Sequence, residues 1–189
     1  DERVFVAFQR EWAGDPAGKV RIGIYDPSNA DNDTAWTFVY YPLDTATSPN
    51  GGWVGLSEIV HIEGDRFAIL ERDNQAGADA RVKRIYEIEL DAEDGETEAD
   101  GGFPTLTKTL VRDILPDLEA PNGQAIEKVE GLTILGDGRV VIVTDNDGVD
   151  DSSGETQFID LGRLFDDEDD DDDDEDDDDD EDDDDGDDD

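Results

Sequence analysis

Residues 55–74, GLSEIVHIEGDRFAILERDN, contain an apolar strand, a Glu63–Gly64–Asp65 turn, a second apolar strand and a closing run of acids and amides. The same order returns at residues 130–147, EGLTILGDGRVVIVTDND. A partial copy opens the chain at residues 3–11, RVFVAFQRE, where a strand leads into polar residues. A pattern that repeats along a chain predicts repeated supersecondary units, and its polar ends mark where ligands would sit.

Short strands separated by Gly, Asp, Asn and Pro clusters continue on both sides of these copies and predict an all-β fold. We predict strands at residues 3–10, 19–26, 35–42, 53–62, 66–72, 81–90, 105–112, 128–135, 139–144 and 156–161. Residues 112–119 have helical spacing that Pro116 interrupts, which predicts a turn or one short helical segment.

Four of the predicted strands, at 53–62, 66–72, 81–90 and 105–112, form one four-stranded antiparallel unit. Repetition of such a unit side by side indicates a β-propeller. The chain then holds this complete blade, the last three strands of a blade before it and most of a blade after it. Because a closed ring takes at least four blades, we predict an incomplete ring, with missing blades or a partner chain at the open sheet edges. A β-sandwich of about ten strands is the alternative.

Charge divides the chain into two parts, residues 1–165 and residues 166–189. In the second part only Gly186 is not acidic, so it carries 23 of the 57 acidic residues. Carboxylates about 7 Å apart repel, and no apolar group offsets the chain entropy, so we predict a disordered tail. Residues 1–165, the predicted propeller domain, keep 34 acids against 14 bases, a net charge of −20.

This acidity excludes some partners and favours others. Binding to nucleic acid or to anionic lipid is disfavoured, because both need basic surfaces. Cations, above all calcium or magnesium, and basic proteins are favoured. The chain has no cysteine, and no apolar run of the roughly 20 residues that would insert into a membrane. It has neither a basic-then-apolar leader nor an initiator Met, so we expect any signal peptide to have been outside this chain.

The candidate functional residues are acidic side chains at the ends of the predicted strands. Counting outward from the two turns places Glu58 opposite Glu71, and Glu130 opposite Thr144, which lies beside Asp145. Like charges across a sheet are destabilising unless a cation or an arginine lies between them. For Glu130, Asp145 and Asp147 the sequence favours a calcium or magnesium ion, since hard oxygen ligands suit both. A solvated acidic loop is the alternative.

Familiar catalytic and binding motifs do not fit the chain. With Gly148 or Gly154 at the sixth position of an EF-hand loop, a valine falls on the first ligand position. His61 is the only histidine, and on an extended strand it is about 13 Å from Ser57, so the two cannot form a dyad. There is no phosphate-binding glycine loop. The aromatic residues are interpreted as packing residues: Trp12, Trp36, Trp53, Tyr40, Tyr41 and Tyr86.

Several segments together resemble the phytase-like domain, also called the esterase-like activity of phytase family. They are VFVAFQREW at 4–12, YPLD at 41–44, VGLSE at 54–58, ERDN at 71–74, VKRIY at 82–86, EGL at 130–132 and TDNDG at 144–148. The resemblance covers residues 1 to about 162 and matches the C-terminal part of that domain.

The resemblance implies a secreted bacterial propeller that hydrolyses phosphoesters or esters, with a phosphorylated small molecule as a substrate. It implies calcium held by an acidic rim on one face, and phosphate oxygens held by Arg72, Lys83 and Arg84. The rim residues are Glu58, Glu71, Asp73, Glu130, Asp145 and Asp147. Catalytic residues are not assigned.

Two functions stay open at this point. One is calcium-assisted hydrolysis outside the cell. The other is a non-catalytic, calcium-stabilised propeller that binds a partner or acts as a scaffold. A dense set of basic residues around the acids would favour hydrolysis, because phosphate needs positive charge. The sequence has few basic residues near these acids.

Overall fold

A computed structural model describes residues 3–30, 32, 34–98, 102–120, 123–145 and 156–165. Within these ranges the chain forms ten strands and one short α-helix. They are β1 (Val4–Ala7), β2 (Lys19–Tyr25), β3 (Trp36–Pro42), β4 (Val54–Glu63), β5 (Arg66–Asp73), β6 (Lys83–Glu89), β7 (Thr109–Asp113), α1 (Leu115–Glu119), β8 (Val129–Ile134), β9 (Arg139–Thr144) and β10 (Phe158–Arg163). The all-β class is confirmed, and every predicted strand overlaps an observed one. The predicted tail, 166–189, lies outside the described residues.

The strands form three antiparallel sheets. The first sheet has the order β1-β2-β3, the middle sheet β4-β5-β6-β7 and the third sheet β10-β9-β8. The predicted division into three, four and three strands is therefore confirmed. Sheets of this size, following one another along the chain, fit consecutive propeller blades. The sandwich alternative also fits them.

The middle sheet is buried on both faces. Ile69 and Leu70 are neighbours on β5, so their side chains point to opposite faces, and both are fully buried. Ile69 packs into a core shared with the first sheet, where it meets residues such as Val39. Leu70 packs into a second core shared with the third sheet, where it meets residues such as Ile142. The three sheets are thus held together by two separate hydrophobic layers.

Glycine is required at two kinds of position. The turn between β4 and β5 holds Gly64 at a φ of +50°, which side chains rarely tolerate. Gly55 on β4 is required for space, since an added Cβ would lie 2.4 Å from the Gln9 carbonyl oxygen. That oxygen accepts a hydrogen bond from the Leu56 amide at 3.2 Å. The segment after β1 therefore runs against β4 and connects the first sheet to the middle one.

The outer edge of β3 is covered by the long connection between β6 and β7. Phe38 exchanges two backbone hydrogen bonds with Glu96, at 2.9 and 3.1 Å. Tyr40 forms two more, to Pro104 and Leu106, at 2.7 and 2.8 Å. The first half of the predicted strand 105–112 thus borders the first sheet, and only its second half belongs to β7. Covering an edge in this way removes free strand donors and acceptors.

The predicted short helical segment is confirmed as α1, which has Pro116 in its first turn, where a missing amide proton costs no hydrogen bond. Its Leu118 is buried in the layer between the middle and third sheets. Among the described residues, no helix combines the length and apolarity that crossing a membrane takes.

The far face of the first sheet carries an aromatic cluster around one buried ion pair. The Arg21 guanidinium lies 4.4 Å from the Trp12 ring centroid and 5.0 Å from that of Phe103. Its Nη2 is 2.7 Å from an oxygen of Asp15, whose side chain is 1% exposed. The Tyr40 hydroxyl donates to the same oxygen at 3.0 Å. Trp12 and Tyr40 thus surround a satisfied charge pair, and packing as the role of all six aromatic residues stays a prediction, since Trp12 and Trp36 are exposed.

Asp15→Asn should reduce stability in a pH-dependent way. Burial raises the pKa of Asp15, but hydrogen bonds from Arg21, Trp12 and Tyr40 outweigh it and leave this pKa below its usual value. A lowered folded pKa contributes stability that is present above about pH 4 and is lost as the pH falls below it. We expect D15N to cost about 1–3 kcal/mol at pH 7 and the difference from wild type to shrink toward pH 2. Urea unfolding at several pH values measures this, with exposed Asp65→Asn as the control. A difference independent of pH would contradict the assignment.

Candidate functional site

Two strands carry a β-bulge at the same end of their sheets. In β4, Leu56 pairs with Glu71 and Glu58 with Leu70, which leaves Ser57 as the extra residue. Bulges of this kind re-aim a side chain and are common beside functional sites. The predicted pairing of Glu58 with Glu71 is wrong by one residue, because β4 has a second irregularity nearer the turn, between His61 and Glu63, which adds a residue that alternation alone does not reveal.

The second bulge repeats the first one in the third sheet. Val129 pairs with Thr144, and Gly131 with Val143, so Glu130 is the extra residue of β8. The predicted pairing of Glu130 with Thr144 is wrong by one residue, because this bulge pairs Thr144 with Val129 instead. Ser57 and Glu130 are equivalent positions of two repeats, and the structure brings them together.

Arg72 joins the two bulges. Its Nε donates to the Ser57 hydroxyl oxygen at 3.0 Å, and its Nη2 donates to Glu130 Oε1 at 2.5 Å. The Trp53 ring centroid lies 5.4 Å from the guanidinium carbon. The Arg72 side chain is 2% exposed, whereas that of Glu130 is 37% exposed. A buried guanidinium thus lies behind a carboxylate that faces solvent, where the middle and third sheets meet.

Asp73 and Lys83 form a buried ion pair beside Arg72. The Lys83 ammonium is 2.8 Å from Asp73 Oδ1, and the two side chains are 1% exposed or less. The Lys83 ammonium also lies within 3.0 Å of the carbonyl oxygens of Asp73, Gln75 and Glu127. Burial lowers the pKa of Lys83 to about 8, although hydrogen bonding to Asp73 opposes this. Lys83 therefore fastens the chain before β8 to the end of β5.

Glu71 lies on the opposite face of the middle sheet and is fully buried. Its carboxylate accepts hydrogen bonds of 2.6 Å each from the Tyr41 hydroxyl, the Lys108 ammonium and the Asp44 amide. Burial raises the pKa of Glu71 above its usual value, although the hydrogen bonds and the charge of Lys108 oppose this. Glu71 therefore joins the end of β3 to the middle sheet.

Asp44 is the second carboxylate on this face. The Lys108 ammonium is 2.8 Å from Oδ1, and the Tyr86 hydroxyl donates to Oδ2 at 2.6 Å. Arg84 also donates to Oδ2. Burial raises the pKa of Asp44, but these hydrogen bonds outweigh it and leave the pKa below its usual value. Asp44 is therefore ionised at neutral pH and bound by three donors.

Three of the six predicted calcium ligands have basic partners. Glu71 pairs with Lys108, Asp73 with Lys83 and Glu130 with Arg72. Glu58 lies on β4 and accepts a hydrogen bond from the Ile59 amide at 3.2 Å. The Asp145 amide donates to the Lys128 carbonyl at 2.8 Å, which places Asp145 at the end of β9. Asp147 lies outside the described residues.

No group of three or more acidic or histidine side chains in the described part of the chain is arranged to hold a metal ion. Ammonium groups pair with the buried Glu71 and Asp73, so a calcium ion at either carboxylate would have to displace Lys108 or Lys83. Calcium at the six carboxylates stays a prediction.

The three predicted phosphate-binding residues are divided between the two faces of the middle sheet. Arg72 and Lys83 face the third sheet, and Arg84 faces the first, where it contacts Asp44 and, at 3.4 Å, Asp113. Lys83 is fully enclosed by its acceptors. Phosphate binding by these residues also stays a prediction. His61 lies at the end of β4 away from Ser57, where its Nε2 is 2.9 Å from the Gly64 carbonyl oxygen.

Sequence reasoning missed Lys108 as a member of the site. Lys108 lies 37 residues after Glu71 and 64 after Asp44, and it contacts both. Its isolated position in a Thr-rich segment gives no local signal. Together with Arg84, Arg72 and Lys83 it makes the basic set denser than the sequence indicates.

The fold and the site together define an all-β, propeller-like protein with paired acids and bases at the ends of its strands. The family model described as Phytase-like, Esterase-like activity of phytase, matches residues 1–148. The chain belongs to this phytase-like family, and the resemblance noted from its motifs is confirmed. Searches of curated proteins and of solved structures found no match.

Proposed function

We propose that this protein takes part in the hydrolysis of ester bonds, with phosphoesters as the substrate class. Family membership supports ester chemistry. The observation that carries the proposal is Arg72, which is held between the bulged residues Ser57 and Glu130. A guanidinium whose partner is an exposed carboxylate suits an anionic oxygen of a substrate.

In the proposed reaction, Arg72 exchanges its carboxylate partner for the phosphate group of the substrate. A phosphate oxygen takes the place of the Glu130 carboxylate on Arg72, and the released carboxylate accepts a proton from the attacking water. The water oxygen bonds to phosphorus while the bond from phosphorus to the ester oxygen breaks, and Arg72 offsets the charge that develops. The leaving oxygen takes a proton from solvent water and departs as the alcohol, and the hydroxide formed takes the proton held by Glu130, which restores the carboxylate. Glu130 is then the general base.

We propose calcium binding at Asp145 and Asp147, because Glu71, Asp73 and Glu130 already have basic partners. A bound calcium ion would polarise a phosphate oxygen there. We also propose that the protein acts outside the cell, and membership of the phytase-like family supports this location.

Arg72→Lys should abolish most activity without removing the positive charge. An ammonium cannot reproduce the planar fork by which this guanidinium bonds to Ser57 and Glu130 at once, and loss of one preorganised donor costs about 100-fold in rate. Full-length protein is assayed for phosphomonoester and carboxylic-ester hydrolysis, with and without added calcium. Arg139→Lys serves as the control, because Arg139 lies in an exposed ion pair of the third sheet.

Each result of these assays bears on the proposal. Turnover that is lost in R72K and kept in R139K supports it. Turnover unchanged in folded R72K rejects the role of Arg72, and no turnover of either substrate by wild type rejects hydrolysis.

A non-catalytic propeller is the second candidate. The observation that favours it is the internal pairing of Glu71, Asp73 and Glu130 with basic side chains, an arrangement that stabilises a fold without needing a substrate. Thermal unfolding of the full chain with added calcium or with a chelator tests its calcium-stabilised form, since a ligand that binds the folded state raises Tm. An unchanged Tm would reject that form.

A further inference from the structure

The contacts of Asp44 point to a second anion site, on the face of the middle sheet opposite Arg72. Three donors converge on the Asp44 carboxylate: Arg84 and Tyr86 from β6, and Lys108 from the connection before β7. We call these three side chains the three-donor pocket. Donors from separate segments that meet on one carboxylate also match the oxygens of a phosphate group.

The three-donor pocket would keep its shape without Asp44. Lys108 is also held by Glu71 at 2.6 Å and lies 4.0 Å from the Tyr86 ring centroid. Arg84 is also held by Asp113 at 3.4 Å. Burial raises the pKa of Tyr86 above its usual value, so its hydroxyl keeps the proton that it donates. A preorganised set of donors binds an anion without the cost of ordering them.

Asp44 is able to leave the pocket. It lies in the connection between β3 and β4, outside any helix or strand, and its backbone is held separately through its amide and Glu71. Rotation of the side chain alone therefore frees the donors. Solvent reaches the pocket, since the Arg84 side chain is 29% exposed and that of Asp44 is 19% exposed.

We propose that the three-donor pocket binds a phosphate group and that Asp44 occupies it as an internal competitor. A phosphate oxygen would replace each hydrogen bond that Asp44 accepts. This inference goes beyond the proposed hydrolysis, because phosphate binding here needs neither Arg72 nor turnover.

The test measures the binding of inorganic phosphate to the full-length Asp44→Ala variant by titration calorimetry at fixed pH and salt. We expect D44A to bind inorganic phosphate about 10-fold more tightly than wild type, and Asp44→Ala with Arg84→Gln to lose that gain. Asp160→Ala is the matched control, since it removes the same charge from an exposed pair with Arg139. Glycerol 2-phosphate in a parallel titration distinguishes a phosphomonoester from free phosphate as the preferred ligand.

Three outcomes would overturn the proposal: equal phosphate affinity in wild type and D44A, an equal gain in D160A, or a gain that survives Arg84→Gln. Thermal unfolding verifies that each variant is folded. If D44A does not fold, Asp44→Ser replaces it in the same titrations, with the same outcomes. A variant that binds phosphate but leaves ester hydrolysis unchanged would separate this site from the proposed active site.

Discussion

Lys83→Met is expected to destabilise the protein by about 3–5 kcal/mol, because removal of one partner leaves the other as an uncompensated buried charge. The Asp73 carboxylate would keep its hydrogen bonds from the Arg81 and Val82 amides, at 2.6 and 2.9 Å, but would lose its cation. The Glu127 carbonyl would lose its donor as well. The third sheet should therefore loosen from the middle sheet.

Urea unfolding at pH 7 measures this effect. Lys19→Met is the matched control, since Lys19 donates to Thr105 in an exposed contact. The double variant Lys83→Met with Asp73→Asn should recover part of the loss, because it removes the unpaired charge. A cost for K83M no larger than that for K19M would show that the buried pair does not stabilise the fold.

Ile69→Ala and Leu70→Ala are each expected to cost about 2–5 kcal/mol, although they are neighbours on one strand. Ile69 fills the layer toward the first sheet and Leu70 the layer toward the third, and both are fully buried. In a sheet with one face in water, only one of two neighbouring residues would matter.

Chemical denaturation of the two variants tests the double burial. Leu110→Ala on β7 is the control, since its side chain is half exposed, and surface substitutions change stability by about 0.5 kcal/mol. If either core variant behaves like L110A, that face of the middle sheet does not pack against its neighbour.

Strand positions and their division into three sheets could be predicted from sequence, because both follow from local signals. The turn at Gly64 separates two β-branched and aromatic runs, and the same signals return around Gly138. The paired bulges could not be predicted, since one extra residue at Ser57 or Glu130 leaves the apolar pattern almost unchanged.

The candidate site could be predicted only in part. The acids at the end of β5 follow its apolar run directly, so Glu71 and Asp73 stand out in the sequence. Their neutralising partners do not, because the contact of Lys108 with Glu71 depends on the path of a long connection. The sequence therefore indicated carboxylates that would bind a cation, whereas the structure shows several of them paired with basic side chains of the same chain.

The edge of β3 has a consequence for the order of events during synthesis. Its hydrogen-bonding partners, Glu96 and Pro104, lie more than fifty residues further along the chain. Domains form as the chain emerges from the ribosome, N-terminal parts first. The hydrogen bonds at the edge of β3 therefore form only after most of the middle sheet has been synthesised.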